Sequence, residues 1–160
     1  MKKSQCQSCL KDKSNLTCQN CSQDCCKECI IFVDCNEFEI VTLLPVKIQE
    51  KAFCPSCFNI EASPIIAEYK EILDKAKSVN VYEIEQSQET HKMPRHERPI
   101  IIKECNDRNE TLMRLAFFAV QRGFNTIIDV DLKSRKSHEG GTYRKLVWSG
   151  KAIPINRLKP

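Results

Sequence analysis

Apolar and polar positions alternate with a helical period between residues 63 and 77. The apolar positions are spaced four, three and four residues apart, at Ile65, Tyr69, Ile72 and Ala76. This stripe predicts a helix that ends near residue 77. Ser63 and Pro64, directly ahead of it, are typical of a helix N-cap and a first helical position.

A second helical stripe follows residue 107. It consists of the apolar side chains of Leu112, Leu115, Ala116, Ala119 and Val120. Asp107, with Glu110 three residues later, is typical of a capping box at the start of a helix. Gly123 stands where a chain commonly leaves a helix with positive φ. We therefore predict a helix between residues 107 and 123.

Strand-like runs surround this second helix. They are rich in β-branched and aromatic residues and lie at residues 79–85, 100–102, 126–132, 143–148 and 152–155. Ser149 and Gly150 are expected to break the last two apart, and residues 138–141 to form a turn. The β-β-α-β-β order predicts an α+β domain, a compact α/β sandwich with one helix on a sheet. Residues 86–98 are polar and aperiodic, which predicts a mobile stretch or a long hairpin loop.

The first 62 residues show little periodicity. Two short strands are predicted at residues 30–33 and 38–44, with a turn at 34–37 between them. A segment of this size has too small an apolar core to fold alone. We divide the chain into a front module, a helix and an α+β domain, at residues 1–62, 63–78 and 79–160.

Cysteine is concentrated in the front module, since ten of the chain's eleven cysteines precede residue 58. Eight of them form four C-x2-C pairs: Cys6 and Cys9, Cys18 and Cys21, Cys26 and Cys29, and Cys54 and Cys57. Each pair can direct two thiolates to one metal ion, and zinc prefers four tetrahedral sulfur ligands. The pairs therefore predict two closed sites, each holding one structural Zn²⁺.

Two further cysteines and two histidines are candidate ligands. Cys25 is an alternative to Cys26, because a C-x3-C spacing also reaches a metal ion, although the uniform spacing of the other pairs favours Cys26. Cys105 is either a metal ligand or reactive thiol, or an inert core residue. His91 and His96 either bind a metal or are solvated loop side chains.

Cysteine usage and hydropathy together predict the compartment. The chain begins with charged and polar residues, so we expect no secretory leader. Its longest apolar run, residues 40–46, is too short for a membrane span. A cytoplasmic, reducing location is expected, where thiolate–zinc bonds are favoured over disulfides. Because both predicted zinc sites are saturated by sulfur and no nucleophile or phosphate-loop motif is present, we expect no enzymatic activity.

The net charge of +4 is unevenly distributed. Residues 1–63 carry seven basic and eight acidic side chains, whereas residues 99–160 carry twelve basic and six acidic ones. Each four-thiolate zinc site would add a charge of about −2, which makes the front module a poor partner for phosphates. The basic stretch at residues 133–138, joined across a hairpin by Arg144 and Lys145, instead predicts nucleic-acid or anion binding as an alternative function.

The cysteine spacing C-x2-C-x8-C-x2-C-x4-C-x2-C-x24-C-x2-C resembles that of the FYVE/PHD/RING group of cross-brace zinc fingers, and is closest to the FYVE domains. In that group the first and third pairs share one zinc ion, and the second and fourth pairs share the other. The resemblance implies one site made of Cys6, Cys9, Cys26 and Cys29. It implies a second site made of Cys18, Cys21, Cys54 and Cys57.

The departures from these families bear on function. FYVE domains bind phosphatidylinositol 3-phosphate through basic residues around the third cysteine, but residues 15–21 contain no Arg or His, which argues against phosphoinositide binding. A RING-type ubiquitin ligase is another alternative, because residues 54–57 read CPSC and match the CPxC of many RING domains. However, Ser8 stands where RING domains usually have an apolar residue for their E2 partner, and a histidine ligand is missing.

Residues 99–157 resemble the YbjQ-like family. The similarity lies in residues 114–130, with the GFNT turn into a strand, and in residues 148–155, WSGKAIPI. It implies a small α/β sandwich that assembles into rings. The chain is therefore predicted to be a zinc-binding interaction or scaffold protein with two structural Zn²⁺ ions, a protein partner and a homo-oligomeric state.

Overall fold

The structure, a computed structural model, describes residues 5–11, 15–138 and 144–157. The chain divides into two units, Met1–Lys70 and Glu71–Pro160. Both helices and strands are present, so the α+β class predicted from the sequence is confirmed. Most of the turn predicted at residues 138–141, and the start of the strand predicted at Tyr143, lie outside the described residues.

The described part of the first unit contains four strands of two residues each. β1 (Leu16–Thr17) pairs with β2 (Asp24–Cys25), and β3 (Ile31–Phe32) pairs with β4 (Ala52–Phe53), both antiparallel. One of its core clusters is made mostly of cysteine and consists of Cys6, Cys18, Cys25, Cys26, Ile30, Ala52 and Cys54. Such a cluster buries little hydrocarbon. Interactions other than apolar packing must therefore stabilise this part of the chain.

The strand predicted at residues 38–44 is wrong. The chain there forms two short 3₁₀ helices, Cys35–Glu37 and Val41–Leu43. β3 pairs with β4, so no described strand pairs with this segment. Side chains instead form hydrogen bonds with its backbone. Gln49 Nε2 donates to two of its carbonyl oxygens at 3.2 and 2.7 Å, and Tyr69 Oη accepts from one of its amides at 3.1 Å.

A long helical segment follows β4. α1 (Pro55–Cys57) continues through a π-helical turn (Phe58–Ala62) into α2 (Ser63–Ala76). The predicted helix ending near residue 77 is confirmed, but the N-cap at Ser63 is wrong, because Ser63 has the helical φ and ψ of −58° and −45°. The π turn precedes Pro64, whose missing amide hydrogen would break a regular helix.

Besides the end of α2, the described part of the second unit contains a four-stranded sheet and two α-helices. Its strands are β5 (Asn80–Glu83), β6 (Ile100–Cys105), β7 (Thr126–His138) and β8 (Arg144–Ile155). Its helices are α3 (Ser87–Thr90) and α4 (Arg108–Gln121). The strand order is β5-β7-β8-β6, with β5 parallel to β7 and the other pairs antiparallel. Since α4 packs on β6, β7 and β8, the predicted β-β-α-β-β arrangement is confirmed.

The hairpin loop predicted at residues 86–98 is wrong, because β5 and β6 lie at opposite edges of the sheet. This segment contains α3 and is bonded to β7. Arg95 donates from Nε and Nη2 to the carboxylate of Asp129 at 2.6 and 2.9 Å, and from Nη1 to the carbonyl of Thr90 at 3.0 Å. Thr90 itself is fully buried.

The ends of α4 follow the sequence signals. The Asp107 carboxylate accepts from Glu110 N at 2.7 Å, as predicted for the N-cap. At the other end Gly123 has a φ of +85°. Phe124 N donates to Ala119 O at 2.9 Å across this turn, which is the long hydrogen bond of a Schellman motif.

The predicted break at Ser149 and Gly150 is wrong, since β8 passes through both residues. Gly150 is needed there for space rather than for conformation. A Cβ atom on Gly150 would lie 2.8 Å from side-chain atoms of Leu132 and Thr111 and 3.0 Å from Leu115. The glycine therefore lets α4 approach the centre of the sheet closely.

Candidate metal centre

The eight paired cysteines gather in two groups of four. The Sγ atoms of the first group lie within 4.8 Å of one another and belong to Cys6, Cys9, Cys26 and Cys29. Those of the second group meet the same limit and belong to Cys18, Cys21, Cys54 and Cys57. These are the two sets that the cross-brace resemblance implies. Each could hold a metal ion, and no other such group occurs in the described part of the chain.

The sulfur–sulfur distances fit a tetrahedral zinc ion. Cys9 Sγ lies 3.6 Å from Cys26 Sγ in the first group, and Cys21 Sγ lies 3.8 Å from Cys54 Sγ in the second. A tetrahedron with Zn–S bonds of about 2.3 Å has edges of about 3.8 Å. The sulfur atoms are too far apart for disulfides, and all eleven cysteines are free thiols.

The first two cysteine pairs share one backbone conformation. Leu10 N donates to Cys6 O at 2.8 Å, and Ser22 N donates to Cys18 O at 2.9 Å. Leu10 and Ser22 both have left-handed φ angles, of 61° and 60°. Such angles are unfavourable for residues other than glycine, so the same strained turn at both pairs indicates that the surroundings hold it in place.

Each of these turns is bonded to the strand that leads into its partner pair. Gln7 N donates to Asp24 O at 3.0 Å, and Gln19 N donates to Ala52 O at 2.9 Å. The Gln19 side chain also accepts from Ala52 N at 2.9 Å. Sequence reasoning did not single out these glutamines. The signal available was the repeated C-Q-x-C of the first two pairs.

The fourth pair lies at the start of a helix. Cys54 is the N-cap of α1, and its Sγ accepts from Cys57 N at 3.4 Å. Pro55 occupies the first helical position, where its missing amide hydrogen costs nothing. The N-terminus of a helix has unpaired amide groups and the positive end of the helix dipole. This terminus therefore favours the negative charge of thiolates.

The thiols within each group ionise unequally. Burial opposes ionisation of Cys6, but hydrogen bonds from three backbone groups outweigh it and lower the pKa of this thiol to about 6. The same balance lowers the pKa of Cys18 to about 6. By contrast, hydrogen bonds with Cys9 and Cys26 raise the pKa of Cys29 to about 12. Four thiolates so close together need a cation among them, which a bound divalent metal would supply.

Burial within the groups follows one pattern. The first cysteine of each pair is buried, as at Cys6 and Cys54, and the second is more exposed, as at Cys9 and Cys21. With all four positions of a tetrahedron occupied by sulfur, no position remains for water or a substrate.

The other candidate ligands lie outside both groups. Cys25 is fully buried beside Cys26 but belongs to neither group. Cys105 lies in the core of the second unit, where Arg114 Nη1 donates to its sulfur at 3.4 Å. His91 Nδ1 donates to a carbonyl within α3 at 2.7 Å, and both His91 and His96 are exposed. None of these residues belongs to a metal-binding group among the described residues.

The basic stretch at residues 133–138 lies on β7, which continues past residue 132, where the sequence predicted its end; across the hairpin it faces β8. Ser137 pairs with Lys145 across the hairpin, so the cations of the two strands are neighbours. Lys133, Arg135 and Lys136 are all exposed.

The comparisons with known proteins add no relative. No protein-family model matches the chain, and neither a curated protein nor a solved structure is significantly similar to it. The cross-brace resemblance therefore depends on the cysteine spacing and on the two groups, and the YbjQ-like resemblance depends on its motifs. Among the described residues, no helix is both long and apolar enough to cross a membrane.

Proposed function

We propose that the protein is an interaction scaffold whose first unit is held together by two structural zinc ions. The observation that carries this proposal is the pair of four-cysteine groups with tetrahedral sulfur spacing. Zinc is the metal best suited to four thiolates in this geometry. Because thiolates must stay reduced to bind zinc, the proposal includes a reducing compartment such as the cytoplasm.

The role we assign to the metal is structural, and we propose no catalytic activity. A catalytic zinc ion keeps a coordination position open, whereas four cysteines close the site. Binding energy at such a site is folding energy, because the ligands converge only in the folded chain. The metal ions would then supply the stability that the small core of the first unit does not.

A groove on the first unit supports a protein partner. It has a volume of about 340 Å³ and is lined mainly by aromatic and aliphatic side chains, together with Asp34, Glu37 and Lys70. Phe32 lines it and is 61% exposed, which is high for a large aromatic side chain. Aromatic residues in such positions are enriched at protein–protein interfaces.

Native mass spectrometry of the reduced full-length protein tests the metal proposal. We expect two zinc ions per chain, and loss of ordered structure in the first unit after chelation. Cys6→Ser and Cys54→Ser should each lower the metal count, whereas Cys35→Ser, at a half-buried cysteine outside both groups, should leave it at two. A fully folded wild-type chain with no bound metal would refute the proposal.

The same spectra test self-association. The YbjQ-like resemblance of residues 99–157 is the basis for proposing a homo-oligomer. We expect a defined species of several chains at micromolar concentration. A protein that remains monomeric at all concentrations would remove this part of the proposal without affecting the metal sites.

A second proposed function is anion binding by the basic hairpin. Its support is the exposure of neighbouring cations on β7 and β8. Retention on a heparin column, lost on addition of salt, is the expected behaviour. Elution in the flow-through at low salt, without retention on heparin, would refute it.

A further inference from the structure

The hairpin of β7 and β8 extends beyond the rest of the sheet. On one side, β5 pairs with β7 only as far as Val130. On the other, the pairing of β6 with β8 ends at Trp148. From Arg135 and Val147 outward, the two strands are paired only with each other. We call residues 133–137 and 145–149 the basic ribbon.

The charge of the basic ribbon is of one sign. Its ten residues include Lys133, Arg135, Lys136 and Lys145, and no acidic residue. Among the described residues, two acidic groups from neighbouring positions contact it: Lys133 Nζ lies 2.7 Å from Asp131, and Arg135 Nη2 lies 3.7 Å from Glu104. The Lys133 and Arg135 side chains are 75% and 71% exposed. Exposed ion pairs of this kind contribute at most about 1 kcal/mol, so a phosphate can replace the carboxylate.

Three of the four cations share the face that points away from α4. In an antiparallel pair, residues opposite each other lie on the same face, and the faces alternate along each strand. Lys133 and Arg135 are two residues apart, and Lys145 is opposite Ser137, two residues further. On the other face, opposite Ser134, lies Trp148, which packs against the core cluster.

We propose that the basic ribbon binds duplex DNA by entering the major groove, with Lys133, Arg135 and Lys145 contacting phosphates. This inference depends on the second proposed function, anion binding by the hairpin. Two paired strands lie about 4.8 Å apart, and a two-stranded ribbon fits a groove about 12 Å wide. The side chains of one face recur about every 6.8 Å, so several can reach the same backbone.

The structure favours a duplex over a single strand. Proteins that bind single strands stack bases on exposed aromatic rings. The described part of the ribbon has one aromatic residue, Trp148, and its ring packs against the core instead. Duplex RNA is also disfavoured, since its major groove is too narrow for side chains on a ribbon to enter.

The test measures binding of the zinc-loaded full-length protein by fluorescence anisotropy. The probes are a DNA duplex of about two helical turns, the matching single strand, the matching RNA duplex and heparin. We expect the DNA duplex to bind most tightly of the nucleic acids. With three phosphate contacts, affinity for it should fall about 40-fold between about 50 and 200 mM salt.

The ribbon variant is Lys133→Thr, Arg135→Thr and Lys145→Thr, because threonine preserves strand propensity. It should lose most of the affinity for the DNA duplex and nearly all of the salt dependence. The control variant is Lys47→Ala, Lys70→Ala and Lys92→Ala, which removes the same charge from exposed positions outside the ribbon. It should bind as the wild type does. The unfolding transition of the Trp148 fluorescence checks that the second unit of each variant is folded.

Each contrary result has a defined meaning. Equal affinity for the single strand or the RNA duplex overturns the major-groove inference, as does an equal loss in the control variant. Binding to heparin without binding to the DNA duplex overturns it as well, but leaves the anion-binding function standing. Binding to none of the four probes overturns both.

Discussion

The neighbouring cysteines Cys25 and Cys26 provide the sharpest test of the metal centre. Both are buried, at 0% and 4% exposure, and both follow the turn of the second pair. Only Cys26 belongs to a four-sulfur group, with its Sγ 3.6 Å from that of Cys9. Cys25→Ser and Cys26→Ser therefore make the same change of one atom, at adjacent positions, with opposite expected effects on metal binding.

The two substitutions differ in expected magnitude. Burial raises the pKa of Cys25, which keeps it a neutral thiol, and its side chain hydrogen-bonds with Ser8. A serine there keeps a partner for its hydroxyl, so we expect a loss of about 1–2 kcal/mol and two bound metal ions. Cys26→Ser removes one of four ligands from a site whose binding free energy is about 10–16 kcal/mol in small zinc domains. Since whole domains are stable by about 5–15 kcal/mol, the first unit should unfold or bind at most one ion.

The assay is native mass spectrometry in a zinc-buffered solution, with limited proteolysis of the same samples. The wild type and Cys25→Ser should carry two ions and resist cleavage within residues 5–70. The Cys26→Ser variant should carry at most one ion and be cleaved there. If Cys26→Ser keeps two ions and Cys25→Ser loses one, the structure has assigned the wrong sulfur, and the uniform C-x2-C interpretation is refuted.

Three substitutions in the second unit test its packing without touching the metal groups. Gly150→Val should destabilise the unit by about 1–3 kcal/mol in urea followed by Trp148 fluorescence, because its side chain would overlap α4; an unchanged midpoint would contradict this. Gly123→Ala should cost about 1 kcal/mol in the same assay through its positive φ alone, since open space surrounds it; a loss several times larger would point to a clash. Arg95→Lys should speed hydrogen exchange across residues 87–95, because lysine cannot replace the paired bonds to Asp129; wild-type protection would show that those bonds do not hold the segment.

The parts of the fold that the sequence predicted are those with local causes. The helix at residues 107–123 carries its own start and stop signals, and the structure places both where expected. The short C-x2-C pairs could likewise be recognised one at a time. Which pairs join could not be deduced from spacing, because pairing is a property of the folded chain; it came with the cross-brace resemblance.

The errors arose where tertiary contacts override local pattern. Residues 38–44 have strand-like composition, but strand residues need a partner, and β3 pairs elsewhere. Gly150 looks like a break in sequence, whereas in the structure it provides space beneath α4. Ser63 and Pro64 resemble a helix start, but the helical segment has already begun after Cys54, the residue that follows β4. The shared face of Lys133, Arg135 and Lys145 on the basic ribbon follows from the register of β7 and β8. The sequence predicted a break within β8, so this register could not be deduced from it.

The positions of the two cysteine groups along the chain explain how the first unit can be stable although much of its core is cysteine. The first group joins residues near Cys6 to residues near Cys29, and the second joins residues near Cys18 to residues near Cys57. The two closed loops overlap in the segment between Cys18 and Cys29, which contains β2. Strand β2 thus belongs to both loops, and the carbonyl of Asp24 in this strand accepts a hydrogen bond from Gln7 in the turn of the first pair. Two bound ions would hold the same stretch of chain at both ends. Their binding free energy would then offset the conformational entropy that this stretch loses on folding, which its few apolar contacts offset only in part.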